Sequence, residues 1–245
     1  MTEKSSALAP FTVSLEAVSE NAVLLSWPEK ICPKQHQHII ACRDAIHRQL
    51  AELIIDSVAS YNTLMVYYHF QRSDSQALIN RLRKIIAQSR ENELTQGEDT
   101  VLEIPVYYGE QADWDLCQVA EQTSLTPDEV IELHQAPTYR AYALGFTPGF
   151  CYLGSLMPQL QLPRRSNPRA SVPKGAVAIA GLQTAVYPNA SPGGWHILGQ
   201  TPLAMYNITT EEFHPLLTPG QLVRFKAIDA RTFQEMSGDL IREEQ

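Results

Sequence analysis

Long apolar runs are missing from this 245-residue chain. Stretches such as Ala176–Ala180 stop far short of the roughly 18 residues that span a bilayer, so no membrane helix is expected. Cysteine is scarce: Cys32, Cys42, Cys117 and Cys151 are widely spaced, with no CxxC pair. That spacing argues against a disulfide scaffold and a zinc ribbon. The first ten residues are polar and carry no secretory pattern, so the expected compartment is the cytoplasm. Basic charge is in deficit, with 19 Lys and Arg against 27 Asp and Glu. The resulting net charge of −8 speaks against a general nucleic-acid binder, which needs a basic surface. No P-loop pattern such as GxxxxGKS occurs either, so the chain lacks a nucleotide-phosphate cradle of that kind.

Two shortages are local. Up to residue 100 there is one glycine, Gly97, and three prolines, whereas nine of the twelve glycines and eleven of the sixteen prolines fall between Pro137 and Gly220. Such a shift marks two regions built by different rules, regular elements first and short strands with tight turns after. Carboxylates are absent from Gln135 to Thr210, 76 residues that contain Arg140, Arg164, Arg165, Arg169 and Lys174. An acidic protein thus carries a long stretch of positive local charge.

What is present in the first half reads as alternating strands and amphipathic helices. Phe11–Val18 alternates Val13, Leu15 and Ala17 with polar residues, and Ala22–Trp27 follows after a turn. Gln35–Ala51 is expected to be helical, Leu53–Val58 and Thr63–Tyr68 to be strands, and Asp74–Ser89 to be a helix with Leu78, Leu82, Ile85 and Ile86 on one face, capped by Ser73 or Asp74. Gln88–Asp99 reads as an exposed loop, and Val101–Tyr107 closes the half as a strand. The predicted order is β-α-β-β-α-β, a ferredoxin-like α+β domain with both helices on one face of an antiparallel sheet. His36, His38 and His47 lack a third ligand at zinc-like spacing and are read as a solvated helix face. Of Tyr67 and Tyr68, one is expected to face the core.

The second half begins with two short helices, Asp113–Gln122 and Pro127–His134. Thr126-Pro127-Asp128-Glu129 combines an N-cap, a proline at the first helical position and a glutamate three residues on. His134, in the last turn, is expected to be a surface residue favoured by the helix dipole. Seven short apolar runs broken by turn chemistry follow, from Tyr139–Phe146 to Gln221–Ala227, and suggest a small β-barrel or a sandwich. The division expected is a tail at 1–10, an α+β domain at 11–108, a barrel domain at 109–236 and a tail at 237–245.

Within those runs, Gly193-Gly194 after Pro192 is read as a positive-φ turn whose N–H groups form a concavity for an anion. Arg164, Arg165, Arg169 and Lys174 lie near it in sequence, and arginine forks suit carboxylate or phosphate oxygens. Gln183 and Tyr187 complete the expected ligand contacts; Trp195 and Phe150 are read as core or pocket wall. Cys151 has no catalytic-cysteine signature around it and is read as a packed thiol. Opening an amide hydrolytically needs a base, and ATP use normally needs magnesium ligands. The acid-free stretch supplies neither, so a second subunit is expected to complete any active site. No metal site is expected, and no catalytic residue is identified.

The segments Gly145-Phe146-Thr147-Pro148-Gly149-Phe150-Cys151-Tyr152-Leu153-Gly154, Pro163-Arg164-Arg165, Pro168-Arg169, Val172-Pro173-Lys174-Gly175, Ile179-Ala180-Gly181-Leu182-Gln183-Thr184, Val186-Tyr187-Pro188 and Ser191-Pro192-Gly193-Gly194-Trp195, in that order, resemble the KipI / allophanate-hydrolase-subunit-1 family. Lys174, Ala176, Ala185 and Gln221 depart from its usual residues. The resemblance implies a cyclophilin-like β-barrel after the α+β domain and a partner of the KipA / allophanate-hydrolase-subunit-2 type, with a LamB/YcsF-type subunit as a further partner. It also implies membership of an ATP-dependent 5-oxoprolinase complex that yields glutamate, with ATP used by the complex. Alternative functions in the same family are inhibition of a sensor histidine kinase and a role related to allophanate hydrolase or urea carboxylase. One fold hosts all of these.

Overall fold

The computed structural model describes residues 12–89, 100–109, 114–209 and 212–243, with backbone alone from 238 onward. The expected tail at 1–10 and nearly all of the expected loop Gln88–Asp99 lie outside the described residues. The chain divides into two compact units, Met1–Gly97 and Glu98–Gln245.

The first unit comprises β1 (Ser14–Ser19), β2 (Ala22–Ser26), α1 (Pro33–Gln49), β3 (Ile54–Ala59), β4 (Thr63–Tyr68) and α2 (Ser75–Ser89). Its antiparallel sheet has the order β1-β2-β4-β3. Period-two patterning sets the buried face: Leu64, Val66 and Tyr68 are buried on β4 while Met65 and Tyr67 are only half-buried. Tyr68 is thus the core member of the tyrosine pair, and its hydroxyl donates to the Glu20 carbonyl at 2.8 Å. Leu78, Leu82, Ile85 and Ile86 of α2 pack into the same core as Ile39 and Ile46 of α1. Asp74 caps α2, its Oδ1 accepting from the Ala77 N–H at 2.7 Å.

Two expectations fail here. His36 and His38 are fully buried, leaving only His47 on the exposed face. His38 sits edge-on to Trp27 at 5.9 Å and its Nε2 lies 3.5 Å from Cys42 Sγ. Polar residue type is a poor guide at these positions, because a histidine body packs well once its nitrogens find partners. The ferredoxin-like order also does not form. The strand expected to close it, β5 (Val101–Val106), pairs in parallel with β15 (Leu222–Ala227) in the second unit, so the first unit runs β-β-α-β-β-α. Alternation along a strand shows that one face is buried, but not which sheet buries it.

The second unit continues through α3 (Leu116–Thr123), α4 (Pro127–Gln135), β6 (Tyr139–Leu144), β7 (Cys151–Gly154), β8 (Arg169–Val172), β9 (Ala176–Ala180), β10 (Gln183–Val186), β11 (Ser191–Gly193) and β12 (His196–Gln200). A hairpin of β13 (Tyr206–Ile208) and β14 (Phe213–Pro215) precedes β15, and α5 (Ala230–Glu243) ends it. Seven strands form one sheet in the order β12-β9-β10-β7-β6-β15-β5. Just beyond its edge strand β5, Tyr107 exchanges backbone hydrogen bonds of 2.8 and 2.9 Å with Gln200 of β12, so the sheet nearly closes into a barrel. Gly199 permits that closure, since a Cβ there would lie 2.6 Å from the Tyr107 carbonyl oxygen. The expected tail at 237–245 is helical as far as Glu243. Among the described residues no helix is long and apolar enough to cross a membrane.

On α4 the capping box forms: Glu129 N–H donates to Thr126 Oγ1 at 3.3 Å, and the Thr126 N–H donates to Glu129 Oε2 at 2.7 Å. His134 at its other end is not a surface residue but lies fully buried in the barrel core, stacked on Phe225 at 4.6 Å. Thr184 Oγ1 donates to the Ala178 carbonyl at 3.1 Å, and so accepts from His134 Nε2 at 2.9 Å. His134 Nδ1 therefore accepts from the Tyr108 hydroxyl at 2.7 Å. Burial lowers the His134 pKa to about 3, so the ring is neutral.

Candidate functional site

β9 is buried on both faces, and its two faces do different things. Val177 and Ile179 point into the barrel, while Ala176, Ala178 and Ala180 face outward into a separate apolar cluster. Small outward residues leave room there for larger rings: Phe150, Tyr187 and Trp195 fill the cluster with Val172 of β8. Phe150 is its hub, meeting Phe146, Tyr152, Tyr187 and Trp195 edge-on at 5.3, 4.9, 5.3 and 5.8 Å.

These rings wall a pocket of about 350 Å³, its open mouth included, whose remaining lining is Arg164, Pro192, Gly193 and Gly194. Among the described residues Arg164 is its one formally charged lining residue. The guanidinium makes no hydrogen bond or ion pair to another described residue. Tyr187 is buried, and its hydroxyl is held as a donor: burial pushes its pKa up, against a smaller downward pull from Arg164 and from the Trp195 backbone. Among the described residues the pocket therefore offers a cation and a phenol but no carboxylate, inside aromatic walls. That set does not fit a magnesium nucleotide, which needs carboxylate ligands for the ion and more than one cation for the phosphates. It fits a small acid with one anionic group and a flat body.

Of the eight expected contact residues, the fold brings Arg164, Tyr187, Gly193 and Gly194 together here. Gly193 and Gly194 do not take the expected positive-φ turn; among the described residues the left-handed glycines are Gly149, Gly175, Gly181 and Gly220. Gly193 instead lies in β11 opposite Arg169. Its need for glycine is one of space, because a Cβ there would overlap the Tyr187 hydroxyl and lie 2.9 Å from Cζ. Lys174 is exposed in the turn between β8 and β9, where its carbonyl accepts from Gln200 Nε2 at 2.7 Å. Gln183 begins β10 across from Gly154 and Ala180, about 13 Å along the strand from Tyr187.

Arg165 and Arg169 belong to a different arrangement, one that local sequence did not reveal. Both bind Asp115, whose side chain is only 4% exposed. Arg169 forms a fork, Nη1 to Oδ2 and Nη2 to Oδ1, each at 2.8 Å, and Arg165 Nη1 adds to Oδ1. Asp115 lies outside the acid-free stretch, so tertiary structure returns to that region the carboxylate its sequence lacks. Cys151 is packed in the barrel core, where burial pushes its thiol up to about 12. His196 Nε2 donates to the Pro163 carbonyl at 2.9 Å. Among the described residues no group of three His, Cys, Asp or Glu could hold a metal ion.

A barrel-like sheet bears this pocket, with the glycine, proline and aromatic motifs around it. Residues 13–216 match the carboxyltransferase domain, subdomains C and D, and the chain belongs to that family. Its relatives include the B subunit of Bacillus subtilis 5-oxoprolinase, 33% identical over 229 residues that cover 89% of this chain and 94% of that protein. The corresponding protein of Haemophilus influenzae, also a 5-oxoprolinase B subunit, is 36% identical over 213 residues, covering 87% and 97%. Among solved structures, urea amidolyase of Kluyveromyces lactis is 15% identical with a TM-score of 0.70, matching 97% of this chain and 16% of that one. At that identity the likeness is one of fold.

Proposed function

We propose that this chain is a non-autonomous subunit of an ATP-dependent 5-oxoprolinase, and that its pocket holds the substrate. The observation that carries this reading is the uncommitted Arg164 guanidinium at an aromatic pocket that, among the described residues, no carboxylate lines. 5-Oxoproline is a small flat lactam with one carboxylate. Its carboxylate suits the Arg164 fork, its ring suits the walls of Phe150 and Trp195, and the Tyr187 hydroxyl can donate to an oxygen. Names of relatives that share most of this chain's length, both 5-oxoprolinase B subunits, support the subunit role.

Hydrolysis adds water across the lactam C–N bond: oxygen bonds to the carbonyl carbon, the C–N bond breaks, and the nitrogen takes a proton. A base must accept the proton from water. Among the described lining residues there is none, because burial keeps the Tyr187 hydroxyl protonated and a guanidinium has no lone pair to accept a proton. ATP handling and proton transfer accordingly belong to partner chains, of the KipA / allophanate-hydrolase-subunit-2 type and the LamB/YcsF type. The test is 5-oxoproline-dependent phosphate release. The isolated chain should give none, and the assembled complex should turn over. Arg164→Ala should lower kcat/KM of the complex about ten-fold or more, with Arg164→Lys restoring part of the loss. Turnover by the isolated chain at enzyme-like rates of about 1–1,000 per second, or an Arg164→Ala complex as active as the parent, would refute the reading.

A further inference from the structure

Asp115 has no contact with the pocket, yet most of what shapes one side of the pocket converges on it. Its carboxylate accepts from both guanidinium groups, and Oδ2 also accepts from the Ile197 N–H at 2.8 Å. The Asp115 N–H in turn donates to the Ile197 carbonyl at 2.8 Å, so this residue and β12 hold each other from both sides. The Pro163–Arg169 segment is held at three further points. The Pro163 carbonyl is bound by His196, the Arg165 N–H donates to the Gly194 carbonyl at 2.8 Å, and Arg169 pairs with Gly193 in the β8–β11 ribbon.

Arg164 sits between two of those held residues, Pro163 and Arg165. Gly193, Gly194 and Trp195, which line the pocket beside it, lead directly into His196 and Ile197. One buried carboxylate thus ties together the start of α3, the arginine-bearing loop and the glycine-tryptophan wall. It also occupies Arg165 and Arg169, leaving Arg164 as the guanidinium free for a ligand. We propose that Asp115 is a positioning residue: through Arg165, Arg169 and the Ile197 N–H it sets where Arg164 and the Gly193–Trp195 wall stand, and thereby sets affinity for a carboxylate. This rests on the pocket being the 5-oxoproline site.

The test is a double-mutant cycle on the full chain, read by NMR titration with L-5-oxoproline and, separately, with acetate as a bare carboxylate. Arg164→Ala and Asp115→Asn should each weaken binding of 5-oxoproline about ten-fold or more. In the Arg164→Ala background, Asp115→Asn should add clearly less than the loss of about ten-fold it causes in the parent, because only the Gly193–Trp195 wall is left for it to position. Acetate should show the same pattern. A merely structural Asp115 would lower the melting temperature without this coupling. The proposal is overturned if Asp115→Asn binds like the parent while Arg164→Ala is weakened, or if the two losses multiply. If Arg164→Ala itself binds like the parent, the pocket assignment fails and takes this proposal with it, a distinct outcome. Should Asp115→Asn not fold, Arg169→Lys keeps the charge, breaks the fork and carries the same cycle.

Discussion

The Tyr187 hydroxyl occupies the space into which a side chain on Gly193 would grow. β11 therefore runs against the phenol with nothing between them, and the pocket edge is as close to Tyr187 as backbone can come.

Replacing that glycine should accordingly be felt in the pocket. Gly193→Ala forces Tyr187 or β11 to move and should weaken 5-oxoproline binding about ten-fold or more. Gly194→Ala, whose Cβ would meet nothing closer than 3.6 Å, should bind within about two-fold of the parent. Titration of the two variants side by side makes the comparison, and equal affinities would remove the steric argument.

Arg169 and Arg164 should separate stability from binding. Arg169→Ala leaves the buried Asp115 carboxylate short of its fork and should cost about 3 kcal/mol in urea unfolding. Arg164→Ala removes a solvated, unpaired cation and should change stability by less than about 0.5 kcal/mol.

His134 gives the protein an acid-sensitive core. Its pKa is about 3 when folded, against 6.5 for an unperturbed histidine. A lowered histidine pKa means the unfolded chain binds the extra proton first. The contribution is complete above pH 6.5 and is lost as pH falls from there toward about 3. Between pH 7 and pH 5 the loss should be about 2 kcal/mol. Urea unfolding of the parent and of His134→Gln over that range measures it; the variant, which cannot titrate, should show a shallower slope.

Cys151 should be chemically silent. With its thiol pushed up to about 12 and its side chain in the barrel core, it should resist iodoacetamide at pH 7.5, while exposed Cys117 is alkylated. Mass spectrometry of the folded chain distinguishes the two. Rapid labelling of Cys151 would reopen a nucleophilic role for it.

Local pattern carried the reading of individual elements a long way. The stripe Leu78, Leu82, Ile85 and Ile86, the Thr126–Glu129 box and the alternation in Thr63–Tyr68 each depend on neighbours within a few residues, and each appears as read. The C-terminal helix is not among the elements read from the sequence, although Phe233, Met236, Leu240 and Ile241 recur at helical spacing and Asp229 caps it by accepting from the Thr232 N–H at 2.7 Å. Burial of His36, His38 and His134 was misread: residue type predicts polarity, and partners decide whether polarity can be buried.

Motif order along the chain was by itself enough to determine the family, because turn geometry dictates locally where glycine and proline stand. Sequence also placed Arg164, Tyr187 and Gly193 among the candidate residues. Tertiary structure alone decided which sheet receives Val101–Val106 and which arginine remains available. Arg165 and Arg169 meet Asp115 across 50 and 54 residues of chain. Coulombic pairing depends on distance in space, and no count of charges along a segment shows which of them the fold will neutralise.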